Sequence, residues 1–456
     1  MKLQYDSLCL QVILEGDDSE MTGRLVRSLT PTQPRIEVIV FSDGERCPLL
    51  LDGMGVPFFD ATVWTLTSYR HKSASTVEQA LRGAMLLHLF CERSGIDLVQ
   101  RVRDGVFFSL GELEALVTDA HQPFESLRKP LAKKSRRRAR TDDSANRAAL
   151  VRRLPAAKRV RTVSSQTTLI RLHYLRSYLR WLGERQNSRF GYEGGESAFS
   201  RAHDYGARLA EVLNQIKQRE PSVSPNGRQT LDPAAQARLL AVAEPSSLEN
   251  PWSDPFVRLR NWTIVKWLLG TGMRKGELLG LLVKDFNRGQ SYCEIRRRHD
   301  DKRDPRRRQP AAKTLERLAP LNAILAELGE DYLKARSKIE AARKHGYLFV
   351  AKDGKPLSGS AVTELFATLR KKFPELAEAS AHVLRHQWNE NFSAYADLIG
   401  MKPEDELRER AWLMGWSANS TMPGHYLKRR TKAKADEHSR QMQERLMMHD
   451  EELETQ

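Results

Sequence analysis

The chain has 456 residues, with 74 Lys and Arg against 58 Asp and Glu, a formal net charge of +16. That length calls for about two to four domains, and the basic excess points to a polyanionic partner, nucleic acid first among them. The four cysteines, Cys9, Cys47, Cys91 and Cys293, show neither a CxxC nor a Cys/His spacing. A disulfide scaffold and a structural zinc site are thereby excluded as first expectations, and a reducing, cytoplasmic setting is expected. The opening MKLQYDSLCLQVILEGDD has only a short apolar run broken by acids, unlike a signal peptide, and no stretch reaches the roughly 18 apolar residues of a membrane span.

In chain order, RIEVIVF (35–41) alternates as a strand does, and GERCPLLLDGMGVPFF (44–59) reads as turns. Residues 1–60 are expected to form a region with some β structure. STVEQALRGAMLLHLFCERSG (75–95) has a Ser/Thr start, apolar residues every three or four positions and a terminal Gly95, and predicts a helix. Between Arg128 and Arg161 lie 14 Lys/Arg and only Asp142 and Asp143, a local excess of +12. That stretch has no apolar periodicity and reads either as a solvated linker or as a phosphate-binding strap, with Arg136, Arg137, Arg138 and Arg140 at its centre. Ser165 opens a second helix, SQTTLIRLHYLRSYLRWLGER. Ile170, Tyr174, Tyr178 and Leu182 line one of its faces, and Arg171, Arg180 and Arg185 lie elsewhere.

REPSVSPNGRQT (219–230) is the clearest linker, followed by Asp232 and Pro233 as N-cap and first residue of a helix. The remainder reads as mostly helical, interrupted by strand-like SYCEIRRR (291–298) and RLAPL (317–321) around a long basic turn, and by helix-poor YLFVAKDGKPLS (347–358). The expected organisation is 1–60, a helical region 61–228 carrying the basic insert 128–161, a domain 229–431, and a charged helical tail 432–456. The fold class is mainly α and multidomain, with a small antiparallel sheet in the later domain.

Four separated pieces carry chemistry-bearing residues. TGMRKGELLGLLVKDF (271–286) puts Arg274 and Glu277 three apart in a first helical turn, where Glu277 can hold the arginine while Leu278 and Leu281 face a core. AHVLRHQW (381–388) puts His382 and Arg385 on one helix face. LMGWSANSTMPGHYLKR (413–429) brings Trp416 and Tyr426. Lys313 follows a basic turn holding Arg296, Arg297, Arg298, Lys302, Arg303, Arg306, Arg307 and Arg308. That turn is either a solvated loop or a hairpin entering a DNA groove, and the lysine after it favours the second.

Together and in this order, the pieces resemble the tyrosine recombinases, the phage-integrase family. RKGELLGL with Asp285 beyond looks like its first arginine box, HVLRHQW like its H-x-x-R box, and GWS followed by Tyr426 like its last. RLAPL is similar to the strand after its catalytic lysine. The resemblance runs over about 230–430, and the helix from Ser165 looks like the start of the family's core-binding domain. It implies site-specific strand exchange on double-stranded DNA through a 3′-phosphotyrosyl link, staged through a Holliday junction. It further implies dimers to tetramers in the synapse, possible accessory recombination proteins, and no metal or cofactor. Type IB topoisomerase-like relaxation and a DNA-binding protein with a decayed centre are the alternatives.

The implied roles are chemically coherent. Attack on a phosphodiester builds negative charge that two guanidiniums, Arg274 and Arg385, stabilise with fixed bidentate donors. A phenol is neutral at pH 7, so Tyr426 must lose its proton on attack, with His382 as the group to assist. Trp416 would donate its indole N–H to a phosphate oxygen, and Lys313 would protonate the leaving 5′ oxygen, with Lys302 as a competitor. Two features depart from the family pattern. Trp416 and Tyr426 are ten apart where nine is usual, and Pro423-Gly424 precedes the tyrosine, with His425 beside it as a second acid–base candidate. Should Tyr426 not be the nucleophile, Tyr395 and Tyr347 come next.

Overall fold

The computed structural model describes residues 33–128, 162–222, 230–310, 312–417, 420–424, 431, 435–436 and 438–444. Arg136, Arg137, Arg138 and Arg140 of the basic insert, together with His425 and Tyr426, lie outside the described residues, as does most of the tail from 432. The fold is mainly α with small antiparallel sheets. It divides into two compact units, Met1–Pro225 and Asn226–Gln456. No helix of the described residues is long and apolar enough to cross a membrane.

The first unit opens with an antiparallel ribbon, β1 (Arg35–Val40) and β2 (Arg46–Leu51), in the register Arg35↔Leu51 to Val40↔Arg46. β2 corrects the reading of 44–59 as turns. The turn signals are real, at Gly44 and Gly55 with positive φ, but they bracket a strand instead of replacing it. Pro48 is accommodated because a two-stranded ribbon leaves its outer edge without a ladder partner. Among the described residues seven helices follow: α1 (Phe59–Ser68), α2 (Ala74–Ser94), α3 (Leu98–Asp104), α4 (Leu110–Ala120), α5 (Phe124–Leu127), α6 (Ser165–Glu193) and α7 (Glu196–Gln218). α2 ends at Gly95 with φ +67°, as its sequence foretells.

α6 runs on past the predicted Arg185 to Glu193, and its buried stripe is wider than expected. Leu172, Leu175 and Leu179 are fully buried with Tyr178, whereas Ile170 and Tyr174 are only half-buried. Arg171, off the expected apolar face, is buried as well. Its Nη1 donates to the carbonyls of Ala120 (3.0 Å) and Gln122 (2.6 Å), and its guanidinium lies 4.1 Å from the Phe124 ring centroid. Two carbonyl acceptors and an aromatic face offset part of the cost of burying that charge.

In the second unit the helices α8 (Pro233–Ala243), α9 (Pro255–Thr271), α10 (Lys275–Gly280), α11 (Ala323–Ser337), α12 (Glu340–Arg343), α13 (Gly359–Lys372), α14 (Ala381–Leu398) and α15 (Pro403–Met414) surround a sheet of β3 (Phe286–Asn287), β4 (Tyr292–Ile295) and β5 (Arg317–Pro320). Asp232 caps α8 through the Ala235 N–H, 2.7 Å away. The core is aromatic at its centre. Trp267 packs edge-on to Phe286 and Phe349, and its indole N–H donates to the Leu325 carbonyl at 3.0 Å. β4 pairs with β5 from Tyr292↔Pro320 to Ile295↔Arg317, which puts the basic turn at one end of the sheet and Arg317 at its base.

Helices α2 and α6 touch at Gly83, where a Cβ would stand 2.6 Å from the Leu175 backbone nitrogen and 2.8 Å from the Tyr174 carbonyl carbon. Alanine is favoured over glycine inside a helix by about 0.5–1 kcal/mol, whereas overpacking against backbone costs about 1–3 kcal/mol. Gly83→Ala is therefore expected to destabilise the protein in urea unfolding, against its helix propensity. A raised midpoint would contradict this crossing.

Candidate active site

The site is built around one carboxylate. α9 ends at Gly272 in the left-handed region (φ +63°), where a Cβ would come within 2.8 Å of the Trp388 ring and Met414 Cε. The turn releases Met273 into the core and leaves Arg274 as the N-cap of α10. Glu277, one turn in, has a fully buried side chain. It accepts from the Arg274 backbone N–H (2.9 Å) and from Arg274 Nη1 (3.3 Å). It also accepts from Thr314 Oγ1 (2.6 Å) and Arg317 Nη2 (2.8 Å), with Arg385 Nη1 3.9 Å away. Burial alone would raise its pKa, but Arg317 and then Arg385 and the Thr314 hydroxyl outweigh that and hold it at about 2.

Arg385 enters from α14, three residues after His382. Its Nη1 donates to the Gly272 carbonyl (2.6 Å) and its Nη2 to the Met414 carbonyl (3.3 Å), and its guanidinium lies 5.8 Å from the Trp416 ring centroid. The left-handed turn at Gly272 thus serves both arginines, freeing Arg274 to cap α10 and giving Arg385 an acceptor. His382 and His386, one helical turn apart, meet Nε2 to Nε2 at 2.9 Å. That contact holds one proton between two nitrogens, so each ring fixes the tautomer of the other.

Lys313 is exposed between buried Ala312 and Thr314. Thr314 anchors that loop to Glu277, and the Leu315 N–H donates to the Gly415 carbonyl at 2.9 Å. Trp416 follows Gly415, which ends α15 in the left-handed region, and is itself buried. Arg317 ties this end in by donating its Nε to the Leu413 carbonyl at 2.7 Å.

Arg274, Lys313, His382 and Arg385 line one open cleft of about 500 Å³, shared with Lys275, Thr363, Arg370 and Ser380. Among the described residues none that lines it is acidic. Lys302 is exposed and does not line the cleft. Of the alternative tyrosines, Tyr347 is buried, with its phenol pushed up to about 12 by burial and then Asp304, and Tyr395 is exposed on α14; neither lines the cleft.

Sequence reasoning missed three members. His386 was legible as a second histidine four residues on, a spacing that stacks side chains on a helix. Thr314 and Arg317 had no local signal. β5 alternates with Arg317 and Ala319 buried and Leu318 and Pro320 exposed, an inverted polarity that makes sense only once Glu277 is in place.

Within the basic turn, two of the arginines expected on DNA also make contacts inside the protein. Arg298 donates to Asp285 Oδ1 (2.7 Å) and the Gly280 carbonyl (3.1 Å). Arg306 binds Asp304, the carbonyls of Leu279 and Leu357, and the face of Tyr347. Both brace the turn from within, because buried Asp285 and Asp304 need cations. Arg297 donates to the Thr314 carbonyl and Arg296 pairs with half-buried Glu294. Lys302, Arg307 and Arg308 remain exposed.

Residues 237–397 match the phage integrase family. That stretch, about a third of the chain, is similar to the family of the tyrosine recombinases. The matched stretch contains Arg274, Glu277, Lys313, His382 and Arg385 and ends before Trp416. Tyrosine recombinase XerD of Halalkalibacterium halodurans is 28% identical over 162 residues, covering 34% of this chain and 49% of that protein. The chain thus spans about half the length of the curated relative it matches. Among solved structures, XerA recombinase is similar at 16% identity, covering 56% of this chain and 77% of that one, with a TM-score of 0.32. The Tn1549 transposon integrase in complex with a circular intermediate DNA is similar at 18% identity, 58% and 89% coverage and a TM-score of 0.35.

Glu277 gives a pH prediction. A carboxyl depressed on folding stabilises fully above its unfolded value, about 4.3, and that contribution is lost as pH falls through its folded value of about 2. Glu277→Gln leaves buried guanidiniums uncompensated and should destabilise by about 3–5 kcal/mol near neutral pH. The loss relative to wild type should shrink between about pH 4.3 and 2. Urea midpoints that keep a constant difference across that range would remove Glu277 from the role.

Proposed function

We propose that the protein is a site-specific DNA recombinase that cuts and rejoins double-stranded DNA through a 3′-phosphotyrosyl intermediate, for integration, excision or transposition of a mobile element. The observation that carries this reading is the convergence of Arg274, Lys313, His382 and Arg385, from separated segments, on one cleft with no acidic lining residue among those described. Such a cleft attracts a phosphodiester and repels little of it.

In this reading the non-bridging oxygens of the scissile phosphate lie against Arg274 and Arg385, held in place by Glu277. The Tyr426 oxygen attacks phosphorus as its proton passes to the His382–His386 pair. The bond from phosphorus to the 5′ oxygen breaks, and Lys313 supplies the proton that makes the leaving group a hydroxyl. Trp416, against Arg385, walls the site. One phosphodiester bond is exchanged for another of similar energy, so rejoining runs the same steps backwards with no nucleotide cofactor. Several protomers act together on the DNA in the bacterial cytoplasm. The basic insert around Arg136, Arg137, Arg138 and Arg140, with Lys302, Arg307 and Arg308, contributes phosphate contacts that position without reading sequence.

The test is a nicked suicide duplex carrying the protein's own site, with covalent protein–DNA adduct as the readout. Wild type is expected to form adduct, and Tyr426→Phe to bind without forming any. Adduct persisting in Tyr426→Phe would move the nucleophile elsewhere.

The same substrate tests the arginines. Arg274→Lys and Arg385→Lys keep charge but lose the planar fork, and each is expected to slow adduct formation on the order of 10²–10³-fold. Near-normal rates in both would contradict the assignment.

A further inference from the structure

We propose that the wall of this cleft formed by Lys275 and Arg370 is a second anion subsite that takes the DNA phosphate next to the scissile one. The proposal rests on the phosphodiester reading above. Its ligand is an intact backbone phosphate, recognised by charge.

The two sides of the cleft are built differently. Arg274 and Arg385 share Glu277, so part of their charge is already compensated. Lys275 and Arg370 are held only by neutral oxygens. The Lys275 ammonium donates to the Gly359 carbonyl (3.2 Å) and to Thr363 Oγ1 (3.1 Å), one turn apart at the start of α13. Thr363 in turn donates to the Gly359 carbonyl at 3.0 Å, which leaves its lone pair for the lysine. Arg370, two turns further along α13, donates its Nη1 to the Ala379 carbonyl at 2.8 Å. Among the described residues neither cation has a carboxylate within ion-pairing distance.

These bonds orient the groups without spending their charge. A lysine ammonium has three donors, and two of the Lys275 donors are used. A flexible lysine ordinarily pays rotamer entropy to grip an anion, and here the side chain is already fixed to α13. A half-buried cation pinned beside an open cleft by neutral acceptors costs desolvation with no stabilising partner inside the protein. An anion in the cleft supplies that partner. Lys275 immediately follows Arg274, so a phosphate at Lys275 and one at Arg274 sit in adjacent places, as successive phosphates of one strand do. Two occupied subsites fix the strand's direction as well as its position, which a single phosphate contact cannot do.

The experiment is a methylphosphonate scan of the suicide duplex, with each phosphate around the cleavage point neutralised in turn, against wild type, Lys275→Met and Lys275→Arg. Wild type should show a loss of binding and adduct at one phosphate neighbouring the scissile position. Lys275→Met should bind unmodified DNA more weakly, with a salt slope flatter by about one unit for one lost phosphate contact, and should lose nothing further at that same neighbouring phosphate. Lys275→Arg should recover most of the binding. A wild-type scan without a sensitive neighbouring phosphate overturns the subsite, and this arm needs no variant to fold. A Lys275→Met loss that is equal at every position makes the lysine a tether between helices, which also overturns it. So does rescue of Lys275→Met by a 5′-phosphorothiolate leaving group, since a sulfur leaving group needs no proton and rescue would make Lys275 the acid. Adduct from wild type on unmodified DNA is scored separately, so failure of the subsite and failure of the recombinase reading give different results.

Discussion

A carboxylate with no access to water, hydrogen-bonded to two arginines and close to a third, sets the geometry of the second unit. Glu277 receives donors from its own helix turn, from the loop before β5 and from β5 itself, and lies 3.9 Å from Arg385 on α14. Burying one carboxylate among guanidiniums is costly in isolation. The cost is offset here because the donors come from the helix's own first turn and from the 314–317 segment, with Arg385 of α14 close by, so one group gathers three pieces of chain. Three guanidiniums against one carboxylate leave an excess of positive charge at the cleft floor. That excess suits an anion gaining charge as it reacts, since fixed donors need no reorganisation when the charge appears.

Arg317 is the least conspicuous part of this arrangement and the most connected. It donates to Glu277, to Thr314 and to the Leu413 carbonyl. Through those bonds the loop carrying Lys313 and the turn carrying Trp416 are referred to the same carboxylate that positions Arg274. A Cβ on Gly415 would fall 2.9 Å from Arg317 Nη1 and 2.8 Å from the Leu315 carbonyl oxygen. The glycine is therefore needed both for its left-handed backbone and for the close approach of that guanidinium.

How much of this was legible in the sequence depends on the range of the signal. Short-range signals carried well. Gly95 and Asp232 mark helix ends where the structure has them, and Arg274/Glu277 and His382/Arg385 share faces as three-residue spacing requires. Signals that depend on partners distant in sequence did not. Nothing local to Arg171, Arg298 or Arg306 announces the carbonyls and buried acids elsewhere in the chain that bind them. β2 was lost because Pro48 and the flanking glycines outweighed a continuous apolar run whose partner strand decides the matter. Arg317 was invisible because the carboxylate that compensates its burial, Glu277, lies 40 residues earlier.

The central claim is that the Glu277–Arg317 pair works as one unit that holds the cleft in its reactive geometry. A double-mutant cycle on the rate of covalent adduct formation tests it most directly, using Glu277→Gln, Arg317→Gln and the pair together, each at saturating DNA. If the pair acts as a unit, either single change breaks the arrangement and the double variant is no slower than the slower single one. Losses that multiply in the double variant would show two independent contributions and contradict the account.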